Sequence, residues 1–118
     1  MNNERLLLIN DNLPTLDLLS RILSREHEIV ASISSAIEFK QKLEDGSLVG
    51  STVAIVDDRM PREGMGKGIA QKLRQDFPNI KIISFSGQLQ DWGDVNLRNS
   101  PDTSIGIIRK AVLDLQTR

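Results

Sequence analysis

The chain contains no cysteine, one histidine, one tryptophan and three phenylalanines among its 118 residues. Without cysteine there is no disulfide framework and no thiolate metal site, and a cytoplasmic setting is the expectation. A single histidine leaves no His-based catalytic dyad and no zinc cluster. So few aromatic rings offer little on which nucleic-acid bases stack. An excess of one charge is lacking too: 15 basic against 16 acidic residues give a net charge of −1, so no electrostatic footprint for nucleic acid is present. No apolar run approaches membrane-spanning length, and the first residues lack the basic-then-apolar layout of a signal peptide. Repeats, low-complexity tracts and long linkers are absent as well. One domain over residues 1–118, large enough to bury a single core, is the expectation.

What the chain does have is buried strands that end in polar residues. Val53-Ala54-Ile55-Val56 is a run of β-branched or small apolar residues and reads as a fully buried strand. Asp57 follows at once, and Asp58-Arg59-Met60-Pro61 turns the chain away. A lone carboxylate so placed ordinarily caps the next helix. Asp57 is not alone. Leu6-Leu7-Leu8-Ile9 runs into Asn10-Asp11, and the stretch from Ile80 to Phe85 runs into Ser86-Gly87. The strands thus deliver Asp11, Asp57 and Ser86 to one edge of one sheet, the edge where open parallel sheets place their chemistry. Two carboxylates from different strands make a hard oxygen site suited to Mg²⁺, which keeps several waters and takes phosphate oxygens besides. The Ser86 hydroxyl with a neighbouring backbone N–H suits a phosphoryl oxygen.

Strands and helices alternate along the chain, the pattern of an α/β fold with a parallel sheet. Pro14 fits a first helical turn, and Leu16, Leu19 and Leu23 form one apolar face. Glu28 to Ala31 reads as a short second strand. Ser35-Ala36-Ile37-Glu38 is a capping-box sequence, with Phe39 and Leu43 on the helix face and Gly46 as the stop. Ser47 to Thr52 is a connector. Ile69, Leu73 and Phe77 mark a third helix that Pro78 ends, and the last helix starts around Ser100-Pro101 with Ile105, Ile108, Val112 and Leu115 inward. Gly64-Met65-Gly66-Lys67-Gly68 fails the phosphate-loop spacing and reads as a flexible loop. His27 reads as a solvated turn residue. The segment Gly87–Asn99 is anomalous: a helix, a strand and two loops need about 20 residues, and only 13 are present. Val95-Asn96-Leu97 suits a short fifth edge strand, with the helix before it missing, reduced to a turn or replaced by a loop.

Asn10-Asp11, Asp57-x-x-Met60-Pro61 and Ser86-Gly87, in that order after strands one, three and four, resemble the receiver domain of two-component response regulators. The likeness is good from about Arg5 to Gly87 and poor from there to about Ser100. It implies a flavodoxin-like, doubly wound five-stranded parallel sheet of strand order 2-1-3-4-5, with the family's fourth helix missing or reduced. It implies that a histidine kinase or phosphotransfer protein passes a phosphoryl group to Asp57, the residue three before Met60. Asp58 then points elsewhere, since successive strand residues face opposite sides. Asp11 and Asp57 would bind Mg²⁺, the backbone carbonyl of Arg59 would supply a third oxygen, and Ser86 would hold the transferred phosphoryl as a switch.

Departures from the family pattern are specific. Asn10 stands where an acid is usual, leaving it to orient a metal-bound water. The Lys-Pro that follows strand five is absent, and Arg98 is the nearest cation in that region and the candidate replacement. Arg59 and Gln88 hold positions that flank the phosphoryl group in the family. The resemblance implies a cytoplasmic signalling domain with self-phosphorylation and autodephosphorylation chemistry only, binding neither membrane nor nucleic acid through this chain. Its end on a helical pattern suits a domain cut from a longer regulator. The alternative is a pseudo-receiver that docks a partner without being phosphorylated. A Mg²⁺-dependent phosphatase is the weakest reading, because such enzymes need Asp-x-Asp where Asp57-Asp58-Arg59 stands.

Overall fold

Alternation along two fully buried strands decides the architecture. The computed structural model describes residues 4–59, 62, 64–100 and 105–116. In β1 (Arg5–Ile9) and β3 (Val53–Val56), successive side chains enter opposite cores. Leu6, Leu8, Val53 and Ile55 join Leu16, Leu19 and Leu23 of α1 (Leu13–Leu23) and Ile108, Val112 and Leu115 of α4 (Ile105–Gln116). Leu7, Ile9, Ala54 and Val56 join Phe39 of α2 (Ala36–Glu44) and Ile69, Ala70 and Leu73 of α3 (Met65–Asp76). Helices therefore cover both faces, and the strands between them have no polar side. With β2 (Glu28–Ile33), β4 (Lys81–Ser86) and β5 (Val95–Arg98), the sheet is wholly parallel in the order β2-β1-β3-β4-β5. This is the expected doubly wound, flavodoxin-like order, with β2 longer than its apolar signal and β4 one residue later than expected.

Helix starts follow their caps. Asn12 Oδ1 accepts the Thr15 N–H at 3.0 Å, and Pro14 sits in the first turn of α1. Ser35 Oγ accepts the Glu38 N–H at 3.1 Å, while Glu38 Oε1 accepts the Ser34 N–H at 2.9 Å. Gly46, at φ +83°, closes α2.

Two expectations are corrected. The stretch Gly64 to Gly68 is not a flexible loop, since α3 begins at Met65. Gly66 lies against β3's end: a Cβ there would stand 2.2 Å from the Asp57 carbonyl oxygen and 2.4 Å from Asp58 Cα. Its glycine serves close helix–strand approach rather than mobility. His27 is likewise not solvated but buried, its Nδ1 accepting the Glu4 N–H at 3.0 Å where the chain enters β1.

No helix stands between β4 and β5; residues 87–94 make the whole crossing. What replaces the helix is a polar clasp. Asp94 Oδ2 accepts the Ile82 N–H at 2.7 Å, the Asp94 N–H donates to the Ile82 carbonyl at 2.7 Å, and Arg74 of α3 donates to the Trp92 carbonyl at 2.7 Å. Trp92, partly buried, packs against the core on the α2–α3 side of the sheet. The sheet itself is adapted to the loss. Ile83, Phe85, Val95 and Leu97 serve the α1–α4 core, whereas the opposite face of β4 and β5, past the buried Ile82, carries Ser84, Ser86, Asn96 and Arg98. Ser84 Oγ donates to Asn96 Oδ1 at 2.7 Å, so the face that would lie under a helix is polar and internally bonded.

Candidate functional site

The carboxyl ends of β1, β3 and β4 meet in a cleft of about 630 Å³. Its lining includes Asn10, Asp11, Asp57, Arg59, Ser86 and Gln88, with Asn12, Asp58, Gln90, Asn99 and two glycines completing it. Parallel pairing produces this convergence: Ile9 is in register with Val56, and Val56 with Ser84, so Asn10, Asp11, Asp57 and Ser86 all fall one or two residues past that level, at one rim.

Asp57 is half-buried at the floor, directly past β3. Its Oδ1 accepts the Ser86 hydroxyl at 3.1 Å and, at a long 3.4 Å, the Arg59 N–H. Burial pushes its carboxyl up to about 6 from an ordinary 3.8; the two hydrogen bonds pull it back, and the neighbouring Asp11 carboxyl adds to the rise. A carboxylate held at that value is ionised at neutral pH yet more basic, and so more nucleophilic, than a solvated one.

Asp58 points elsewhere, as alternation predicts. Its Oδ2 accepts the Gly64 N–H at 2.9 Å, its carbonyl accepts the Gly66 N–H at 2.8 Å, and both bonds fix the start of α3. Its buried Oδ1 has no hydrogen-bond partner among the described residues. The Asp58 N–H donates to Ser86 Oγ at 2.5 Å, which locks that hydroxyl against Asp57. Met60 and Pro61, on which the assignment of the acceptor leaned, lie outside the described residues, as does Pro101.

Asn10 is buried, with Oδ1 accepting the Asn12 N–H at 2.9 Å. Its carbonyl oxygen braces the β1–α1 turn, a role that Asn side chains take two residues ahead of their own position. Asp11 is exposed at the rim. Arg98, in register with Ser86, is not among the lining residues; Asn99 is, and its N–H donates to the Ser86 carbonyl at 2.6 Å.

The sequence reading did not single out Asn12, Gln90 or Asn99. The one available signal for Asn12 was the Asn-x-Asn spacing of an Asx turn. Gln90 reaches the cleft only through the shortened crossing, where it donates to the Gln88 carbonyl at 3.0 Å and accepts Trp92 Nε1–H at 3.1 Å.

The donor set suits a small hard cation. Asp11 and Asp57 leave negative charge in a cleft whose other lining residues are amides, a serine, glycines, one arginine and Asp58, which is engaged at the start of α3, and Asp57 titrates high partly because of Asp11. Among the described residues no group of three or more His, Asp or Glu side chains converges, so two carboxylates with carbonyl and water oxygens are what the cleft offers.

No family model matches the chain, and no curated protein matches it. Solved structures do. The BeF3-activated receiver domain of DrrB superposes with a TM-score of 0.80 at 14% identity, covering 99% of this chain and 100% of that one. A CheY-like response regulator receiver domain protein from Methanospirillum hungatei gives 0.77 at 21%, covering 98% and 96%. Response regulator TrrA from Thermotoga maritima, described in complex with Mg²⁺-BeF, gives 0.76 at 23%, covering 95% and 98%. The chain has the receiver-domain fold over its whole length. Among the described residues no helix is long and apolar enough to cross a membrane.

Proposed function

We propose that this chain is a phosphoacceptor signalling domain that takes a phosphoryl group on Asp57 from a histidine kinase or phosphotransfer protein. The observation that carries the reading is the Asp57–Ser86 pair: a half-buried, basic carboxylate with a buried hydroxyl bonded to it, at the strand ends of a receiver fold. Ionised Asp57 attacks phosphorus in line. An O–P bond forms at its carboxylate as the donor's N–P bond breaks, and the electron pair leaves with the donor imidazole. Phosphoryl transfer asks mainly for positioning and charge neutralisation, and a fixed hydroxyl and backbone N–H groups at the cleft provide positioning. Asp11 and Asp57, with the Arg59 carbonyl and water held near Asn10, are the groups for Mg²⁺, which when bound offsets the charge of the phosphoryl oxygens. The chemistry is self-phosphorylation and its reversal by water, without turnover of a separate substrate.

Downstream, the acyl phosphate shifts a conformational population that a protein partner reads. The β4–β5 crossing is the segment whose output surface differs most from a receiver with its helix in place. A second reading, the pseudo-receiver, draws support from Asn10, whose Oδ1 is engaged by Asn12, and from the absence of any lysine among the described residues that line the cleft. Intact mass after incubation with acetyl phosphate and Mg²⁺ separates the two. A gain of one phosphoryl in the wild type and none in Asp57→Asn is the expected result. No gain in the folded wild type would leave the pseudo-receiver.

A further inference from the structure

Charge in the cleft is the problem the fold leaves unsolved. Phosphorylation replaces a monoanionic carboxylate with a near-dianion, beside the Asp11 carboxylate. The rim of β5 supplies Asn99, an uncharged amide, and the lining residues Asn10, Asn12, Gln88 and Gln90 are uncharged amides as well. Among the described residues that line the cleft, Arg59 carries the only positive side chain. Arg98, in register with Ser86 at the end of β5, is not part of the lining.

From this we infer that Arg59 is the phosphoryl-binding cation of this domain, taking from the β3–α3 loop the part that a residue after β5 would otherwise play. The inference rests on the phosphoacceptor reading and deepens it. Three features support it. Arg59 is two residues from the acceptor, and its N–H already donates to Asp57 Oδ1, so its backbone is held at the reacting oxygen. Arg59 is an exposed residue of the cleft lining. Guanidinium is planar and offers paired N–H donors to two phosphoryl oxygens, which an ammonium cannot match. The covalent balance is unchanged: the O–P bond forms at Asp57, the donor's bond to phosphorus breaks with its electron pair, and Arg59 keeps its proton throughout. Its contribution is electrostatic, a fixed positive charge beside the three equatorial oxygens over which the charge of the transferring group is spread.

The test compares wild type, Arg59→Ala, Arg59→Lys, Arg98→Ala and Asp57→Asn with acetyl phosphate and Mg²⁺, following intact mass over time. Thermal midpoints without donor are recorded for each. Loss of one charge-assisted bond predicts an initial phosphorylation rate about tenfold lower in Arg59→Ala, partly restored in Arg59→Lys, at unchanged midpoint. The gain in midpoint on adding beryllofluoride with Mg²⁺, which needs no chemical step, shrinks in Arg59→Ala in the same order. If the wild type gains no phosphoryl, the phosphoacceptor reading itself falls. If the wild type is phosphorylated and Arg59→Ala matches its rate and its beryllofluoride gain, the assignment of Arg59 alone is overturned. A loss in Arg98→Ala without one in Arg59→Ala overturns it in favour of the strand residue.

Discussion

The Ser86 hydroxyl donates to Asp57 Oδ1 at 3.1 Å while accepting the N–H of the next residue, Asp58, at 2.5 Å. One side chain on β4 thus ties down the candidate acceptor and the peptide that follows it, from 29 residues away. Removing it as Ser86→Ala strands a buried N–H and takes away a bond that favours ionised Asp57. We expect a loss of about 1–3 kcal/mol in stability by denaturant unfolding. Carboxyl titration by NMR should place Asp57 above its wild-type value, because the larger of the two hydrogen bonds that lower it is lost. Ser86→Thr, which keeps the hydroxyl, should restore the titration.

Asp57 also makes stability depend on pH in a defined direction. Its folded value of about 6 exceeds the ordinary 3.8, so between them the native state binds more protons than the unfolded chain. Stability therefore falls as pH rises through that window and stays lower above it. Asp57→Asn should be more stable than wild type at pH 7.5, by about 1 kcal/mol once solvent screening of a half-exposed group is allowed for, and level with it near pH 4. Thermal midpoints across pH 4–8 provide the check.

Mg²⁺ should act on the same carboxylate. A cation that binds only the folded, ionised site stabilises by mass action, so millimolar Mg²⁺ should raise the midpoint at pH 7.5 and much less at pH 4.5. In Asp57→Asn the pH 7.5 effect should be largely lost. An equal Mg²⁺ effect in both proteins would place the cation elsewhere.

Two glycines of α3 should respond with opposite sign. Gly66→Ala forces a methyl against the Asp57 carbonyl and Asp58 Cα, and should cost about 1–3 kcal/mol while disturbing Asp57. Gly68 has nothing within 4 Å of an added Cβ, and Gly68→Ala should stabilise by about 0.5–1 kcal/mol through helix propensity. Urea unfolding of the pair distinguishes a close-packing glycine from a dispensable one.

The clasp that stands in for a helix can be followed through Trp92, the only tryptophan. Asp94→Ala removes the acceptor of the Ile82 N–H and a partner of Arg74. It should cost about 1–3 kcal/mol and shift Trp92 emission to the red as the indole loses its seat on the core. Because Trp92 Nε1–H is bonded to Gln90, which lines the cleft, beryllofluoride with Mg²⁺ should also change that emission in the wild type and leave Asp57→Asn unaffected.

Much of this was legible in the chain itself. Apolar runs at Leu6–Ile9 and Val53–Val56, each ending in an acid or amide, announce buried parallel strands and place Asp11 and Asp57 at one edge. Ser35 with Glu38, and the Leu16-Leu19-Leu23 spacing, announce helices. The count of residues between Gly87 and Asn99 excluded an ordinary helix. These are local signals: period, capping chemistry and length act within a few residues, and so can be read without knowing what packs against what.

Other features depended on contacts between distant segments. Gly66 reads as loop until β3 is found 2.2 Å from where its side chain would begin. His27 reads as solvated until the Glu4 N–H reaches it. That the Asn10 side chain also braces its own turn appears only once the Asn12 N–H is found on its Oδ1. Arg98 ends β5 and Asn99 follows it, and only the folded chain shows that Asn99 lines the cleft and Arg98 does not. The sequence by itself determined which strands are buried and which carboxylates end them, because burial pattern is carried by each segment alone. The tertiary structure decided which neighbour of each carboxylate shares the cleft, because strand phase and close backbone approach exist only once the segments are packed together.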